Sequence, residues 1–452
     1  MDILEFLVLT LCLLGTFCLV IRVRSIASVE GFCAFILGLA VLTDAAQLLL
    51  DYNLHPSTLP LRGGEFAFRS YPTMLHILAF AVLLAGLFLV NPRPDPVSRD
   101  FSTNELRFVG YTGAALAGLG LIMAGITIWL TGALSSSSFF LGINTFRAGD
   151  PGKTGGFFYR GSDIAVFGLA LLLPFARKTS QFLLSLGAML FVSLFLRANK
   201  GGFEFPILWS ALVLYTYNPR RFWSLARPKV VLACALVALL GIGIKSELLS
   251  KNEHALTMDT LVTDVLGPMG TRWGDDGVYR GYCQFVNLWP KYRYLFAGYP
   301  EAKFALTAWV PRMIDEDKQS QPTTGLGFMV HSDGHIYKGE TPAIGLIGSV
   351  YADDGLYTLV LYMFIVGIGL GILRRWAAGA TSKLQWHISY VMFAFFGGLA
   401  NEAGITSFLY TLGLIFGANI VAHLAVIALY KRRINAGPNW VPLPDRQRWI
   451  AS

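Results

Sequence analysis

A helix crossing the roughly 30 Å hydrocarbon layer of a membrane needs about 20 apolar residues, and its backbone polar groups must be satisfied within the segment. This chain meets or approaches that requirement eleven times, at residues 3–21, 31–50, 74–91, 108–131, 161–176, 180–196, 203–218, 230–247, 355–373, 385–402 and 405–430. No pattern constrains a fold more. The class it predicts is an all-α polytopic membrane protein of about 11 transmembrane helices with one large extracytoplasmic loop. Composition agrees. Only 14% of the 452 residues are charged and 54% are hydrophobic, whereas soluble domains carry about a quarter charged residues. Most soluble enzymes are thereby excluded. The first run carries Asp2 and Glu5 where a secretory signal carries Lys or Arg, and it reads as a retained span.

Cytoplasmic loops hold an excess of Lys and Arg, so the balance between alternate loops sets the orientation. One set of short loops and the C-terminal tail holds 19 of the 36 basic residues, and the other short loops hold seven. The remaining ten lie in one long loop, which the rule leaves out because long loops translocate regardless of charge. The expected topology has the N-terminus outside and the C-terminus cytoplasmic. Residues 1–244 form a transmembrane bundle of eight spans and 245–354 a large extracytoplasmic loop. Residues 355–433 hold the last three spans and 434–452 a cytoplasmic tail.

The net charge of +8 does not point to nucleic acid, because the basic residues form no continuous stripe. Five cysteines, none in a CxxC or Cys/His spacing, support neither a disulfide framework nor a zinc site. No phosphate-binding glycine motif occurs in the cytoplasmic connections. The costly ionisable residues of the spans gather at their outer ends: Asp44, His76, Asp163, Glu204 and Glu402. Chemistry should therefore face outward.

Four groups of residues carry that expectation. The turn Arg197-Ala-Asn-Lys200-Gly201-Gly202 lies between two short apolar runs, so it sits recessed, and its two cations and glycines suit a diphosphate. A positive cap on two helix ends is the structural alternative. The glycine-rich stretch bearing Arg147, Lys153 and Arg160 is a second candidate anion contact. In the long loop, Val278, Tyr282, Phe285 and Trp289 recur at helical spacing until Pro290 stops the pattern. This reads as an amphipathic helix on the membrane face, and its aromatic rings, with Trp273, Tyr279 and Trp289 beside Arg272 and Arg280, could also line a saccharide groove. Finally, His331, Asp333, His335 and Glu340 form an exposed turn with acid/base capacity in which none is singled out.

The order of these parts, ending in the lead-in Gly348-Ser-Val-Tyr-Ala-Asp-Asp-Gly-Leu-Tyr-Thr-Leu to the late spans, resembles the Wzy-type repeat-unit polymerases of O-antigen and exopolysaccharide synthesis, cousins of the O-antigen ligases. The resemblance covers most of the chain as architecture. It implies a glycosyltransferase of the bacterial cytoplasmic (inner) membrane. The enzyme would move a growing chain on undecaprenyl diphosphate onto the sugar of a fresh lipid-linked unit, without nucleotide, cofactor or metal. Its partners would be undecaprenyl-diphosphate-linked oligosaccharides, membrane lipid, a chain-length regulator and a flippase.

On that reading Arg147, Arg160, Arg197 and Lys200, with Arg272 and Arg280, neutralise the departing diphosphate. Glu204, Asp163, His331 and Glu340 are the candidate bases for the attacking hydroxyl. Three alternatives stay open. One is an O-antigen ligase, which differs in its acceptor. Another is a GT-C type lipid-linked-sugar glycosyltransferase using Asp51 and Glu65 of the first outer loop. The third is a transporter or flippase of lipid-linked oligosaccharide.

Overall fold

Where the described residues run apolar for a span's length they are helical. The computed structural model describes residues 58–60, 66–68, 70–90, 103–130, 161–173, 179–193, 214, 222–224, 278–307, 345–379, 386, 388–390, 393 and 404–435. Six of the expected spans fall on helices there: α1 (Ser70–Val90), α2 (Thr103–Leu130), α3 (Gly161–Leu172), α4 (Thr179–Phe191), α8 (Leu356–Gly379) and α9 (Gly404–Asn435). Between α4 and α8 come three shorter helices of the long loop, α5 (Val278–Tyr292), α6 (Pro300–Thr307) and α7 (Gly345–Ala352). Three segments are long and apolar enough to cross a membrane: Arg107–Ile126, Leu356–Ala377 and Leu412–Leu429. Met74–Val90, Gly161–Leu172 and Ser180–Phe191 are apolar but shorter. The spans expected at 3–21, 31–50 and 230–247 lie outside the described residues, and those at 203–218 and 385–402 are described at isolated positions only.

Tight helix pairs organise the bundle, and glycine makes them. Lipid tails are as apolar as leucine, so close backbone approach through small residues holds membrane helices together. In the α2–α3 pair, a Cβ on Gly120 or Gly168 would overlap the backbone of Ala165 or Ala117. Gly113 and Gly161 face the same seam. The α1–α8 pair meets at Gly86 and Gly367, where Leu83 and Leu87 are fully buried. Ile122, Trp129, Leu184, Ile365 and Leu424 turn outward, as side chains in contact with lipid do. Helix α9 packs on α2, α3, α6 and α7, which joins the two tight pairs through the short helices.

Two described elements depart from the sequence reading. Thr58–Pro60 and Phe66–Phe68 form an antiparallel ribbon, β1 and β2, with Leu59 opposite Ala67, where an all-α class is expected. Helix α5 runs two residues beyond Pro290, where a stop was expected. Proline removes one backbone donor, and the chain then tightens into a 3₁₀ turn at Arg293–Phe296.

The aromatic stripe of α5 also faces protein. Tyr282, Phe285, Val286, Trp289 and Tyr292 are buried, and α5 packs on α1, β2 and α7. The Tyr282 hydroxyl donates to the Pro72 carbonyl at 3.0 Å, its ring lies edge-on to His76, and Phe285 meets Phe296. The described part of the long loop is thus docked on the start of α1 through its aromatic helix.

Candidate functional site

Apolar helices cannot easily turn at a membrane boundary without polar residues to satisfy the exposed backbone groups. The elbow between α7 and α8, Asp353-Asp354-Gly355, gathers such residues. Gly355 has φ +67°, and a Cβ there would stand 3.0 Å from the Trp289 ring, so both backbone conformation and close packing favour glycine. Its N–H closes α7 on the Tyr351 carbonyl at 2.8 Å, and its carbonyl opens α8 by accepting from Leu359.

Asp353 is buried and reaches across to α6. Its Oδ1 accepts from the Glu301 N–H at 2.9 Å and its Oδ2 from the Ala302 N–H at 3.0 Å. Those are the second and third amides of a helix, the pair an N-cap side chain ordinarily satisfies. Residue 299, whose carbonyl opens α6, is a tyrosine and supplies no cap oxygen. Asp353 therefore caps α6 from 52 residues away in sequence. The Tyr362 hydroxyl also donates to it, at 3.2 Å. Burial pushes the Asp353 carboxyl above its ordinary range and the Asp354 charge adds to that, while the three donated hydrogen bonds oppose it. Beside it, the fully buried Glu301 accepts from the Ser349 hydroxyl of α7.

The outer side of the elbow is open. Arg293 pairs with Asp354 at 2.5 Å, their side chains 63% and 28% exposed. The guanidinium also stands 5.5 Å from the centroid of Trp289. Trp289 donates its indole N–H to the Ala352 carbonyl at 2.7 Å and lies edge-on to Tyr351. The Tyr351 and Tyr71 hydroxyls stand 3.4 Å apart. Burial and Tyr71 together raise the Tyr351 phenol above its ordinary value, so it is protonated near neutral pH. The arrangement offers an anchored cation, a partly exposed carboxylate and several phenols around one turn. It can hold a ligand rich in hydroxyl groups. Among the described residues no three His, Cys, Asp or Glu side chains group as a metal site.

Of the expected site residues, Arg147, Arg160, Arg197, Lys200, Glu204, Arg272, Trp273, His331 and Glu340 lie outside the described residues. Tyr279 and Arg280 fall in the first turn of α5. Asp163 is half-buried in the first turn of α3, two positions from the seam residues Gly161 and Ala165 and therefore on another face of that helix. Trp289 does stand at the elbow, but it is buried, 7% exposed, with its indole N–H and both neighbouring contacts taken by Ala352, Gly355 and Tyr351. Its described contacts support the turn and leave little ring face for a sugar. Arg293, Glu301, Asp353, Asp354 and Tyr351 were not singled out from sequence, although two acidic residues at the mouth of an apolar span are costly enough to mark the place. No protein-family model, curated protein or solved structure matches the chain.

Proposed function

We propose that this protein is a membrane glycosyltransferase that polymerises undecaprenyl-diphosphate-linked oligosaccharide units at the outer face of the bacterial cytoplasmic membrane, without metal. On this reading the chain crosses about eleven times, with its N-terminus outside and its C-terminus cytoplasmic. One observation carries the proposal. The described part of the long loop is docked on the starts of α1 and α8, with carboxylates and phenols gathered at the elbow, where a substrate held by a lipid tail would be presented.

The chemistry is a displacement at the anomeric carbon. A sugar hydroxyl of the acceptor bonds to that carbon, the bond to the diphosphate oxygen breaks, and the diphosphate leaves with the electron pair. Cations from the set Arg147, Arg160, Arg197, Lys200, Arg272 and Arg280 would meet the charge that develops there. One of Glu204, Asp163, His331 and Glu340 would take the hydroxyl proton.

The test uses purified protein in detergent with lipid-diphosphate oligosaccharide and EDTA. A ladder of longer lipid-linked products is expected. No lengthening by wild type refutes the function, lengthening that requires a divalent cation refutes the metal-free mechanism, and a full ladder from Arg197→Ala removes Arg197 from the site.

A further inference from the structure

At residue 299 the sequence breaks two local rules at once. Tyr299 has φ +57°, a conformation that bulky side chains rarely adopt and that glycine or asparagine holds with less strain. It also occupies the cap of α6, where Ser, Thr, Asp and Asn are favoured because their oxygens accept from the helix amides. Asp353 does that work instead. Burial does not explain the tyrosine, because its side chain is 45% exposed. Strained residues that packing leaves unexplained mark functional positions.

Its surroundings say what it faces. Tyr299 opens α6, whose Glu301 and Ala302 amides donate to Asp353, so residue 299 stands beside the elbow. Arg293 acts electrostatically on Tyr351, whose hydroxyl meets that of the exposed Tyr71. Tyr294, next to Arg293, is 70% exposed. One lip therefore carries three accessible phenol rings, a carboxylate able to accept from hydroxyls, and a guanidinium held by its carboxylate and a tryptophan. A lipid headgroup calls for a cation free of a carboxylate partner, whereas Arg293 is already paired.

We infer that Tyr71, Arg293, Tyr294, Tyr299 and Asp354 form a saccharide-binding lip, with Tyr299 held in strained backbone to present its ring to the sugar. The inference deepens the transferase reading and rests on it for the source of the sugar.

The experiment uses the full chain in detergent and a panel of short neutral, N-acetylated and uronic-acid oligosaccharides, followed by saturation-transfer NMR and tryptophan fluorescence. At least one oligosaccharide should bind wild type. Tyr299→Gly, which relieves the backbone strain, should weaken that binding by about tenfold or more with the thermal midpoint unchanged or raised. Asp354→Asn should weaken it too, and Tyr299→Phe should keep most of it. Absence of binding to the whole panel, or equal binding by Tyr299→Gly, overturns the lip. So does a Tyr299→Trp variant in nanodiscs whose added fluorescence is quenched by shallow doxyl lipid and unmoved by the sugar, since the lip would then face the bilayer. Binding without chain extension keeps the lip and overturns the transferase reading. Chain extension that Tyr299→Gly leaves intact, with binding intact, does the reverse.

Discussion

Replacing Asp353 by alanine should undock α6 while leaving the membrane helices in place. Three donors lose their acceptor: the Glu301 amide at 2.9 Å, the Ala302 amide at 3.0 Å and the Tyr362 hydroxyl at 3.2 Å. A buried donor left without a partner costs about 1–3 kcal/mol, and the partly buried ones cost less. Burying the carboxyl is itself unfavourable, since burial raises its pKa, and its removal returns some of that free energy. The net local loss is then about 2–4 kcal/mol, a change of roughly 30-fold to nearly a thousandfold in the opening equilibrium of α6. Asp353→Asn keeps one acceptor oxygen but turns an amide group toward the other N–H, and should cost about half as much. Hydrogen exchange followed by mass spectrometry, in detergent at neutral pH, reads this directly. Peptides covering Pro300–Thr307 should lose protection in the order alanine, asparagine, wild type, and peptides from α2 and α3 should not change. Protection of the α6 amides within about threefold of wild type in Asp353→Ala would refute the long-range cap.

Four further outcomes follow from other parts of the structure. Because burial holds the folded carboxyl of Asp353 above its ordinary value of 3.8, the native state binds the proton more tightly than the unfolded chain does. Its contribution to stability is thus full below that value and declines as pH rises from 3.8 through the raised native value, and Asp353→Asn should flatten this part of a stability–pH curve. Gly168→Ala should cost about 1–3 kcal/mol or more by thermal unfolding, because its Cβ would overlap the Ala117 backbone. Gly187→Ala, with open space around it in α4, should be neutral or stabilising by up to about 1 kcal/mol. Trp289→Phe removes the 2.7 Å bond to Ala352 and leaves that carbonyl unpaired, and should lower stability by about 1–3 kcal/mol in chemical unfolding.

The helices were legible because their cause is local. A run such as Leu356–Ala377 is apolar along its whole length and needs no partner to declare itself. The close seams were half legible. Gly113, Gly120, Gly161 and Gly168 recur at a seven-residue spacing that puts each pair on one helix face, but which face meets which helix depends on packing that no single helix specifies. The α5 stripe has the period of a buried face, and the structure covers that face with α1, β2 and α7. Period reports that one face is buried and says nothing of whether lipid or protein covers it.

The elbow shows how a remote contact can still leave a local trace. No pattern within 348–355 announces that Asp353 meets Glu301 and Ala302, since the pairing spans 52 residues. The other end of the contact is more informative. Gly298-Tyr299-Pro300 reads as a turn with proline at the first helical position, followed by an acid in the first turn, which are strong start signals. What is missing is a cap residue, and tyrosine cannot act as one. A buried helix end must satisfy its amides somewhere, so an uncapped start is a request for an acceptor from another part of the chain. Two adjacent aspartates at the mouth of an apolar span, expensive there unless bonded, are the natural supply. Unmet donors at the start of α6 and a costly acceptor at the elbow satisfy one another, and with the cap supplied by Asp353 position 299 is left free to carry a tyrosine.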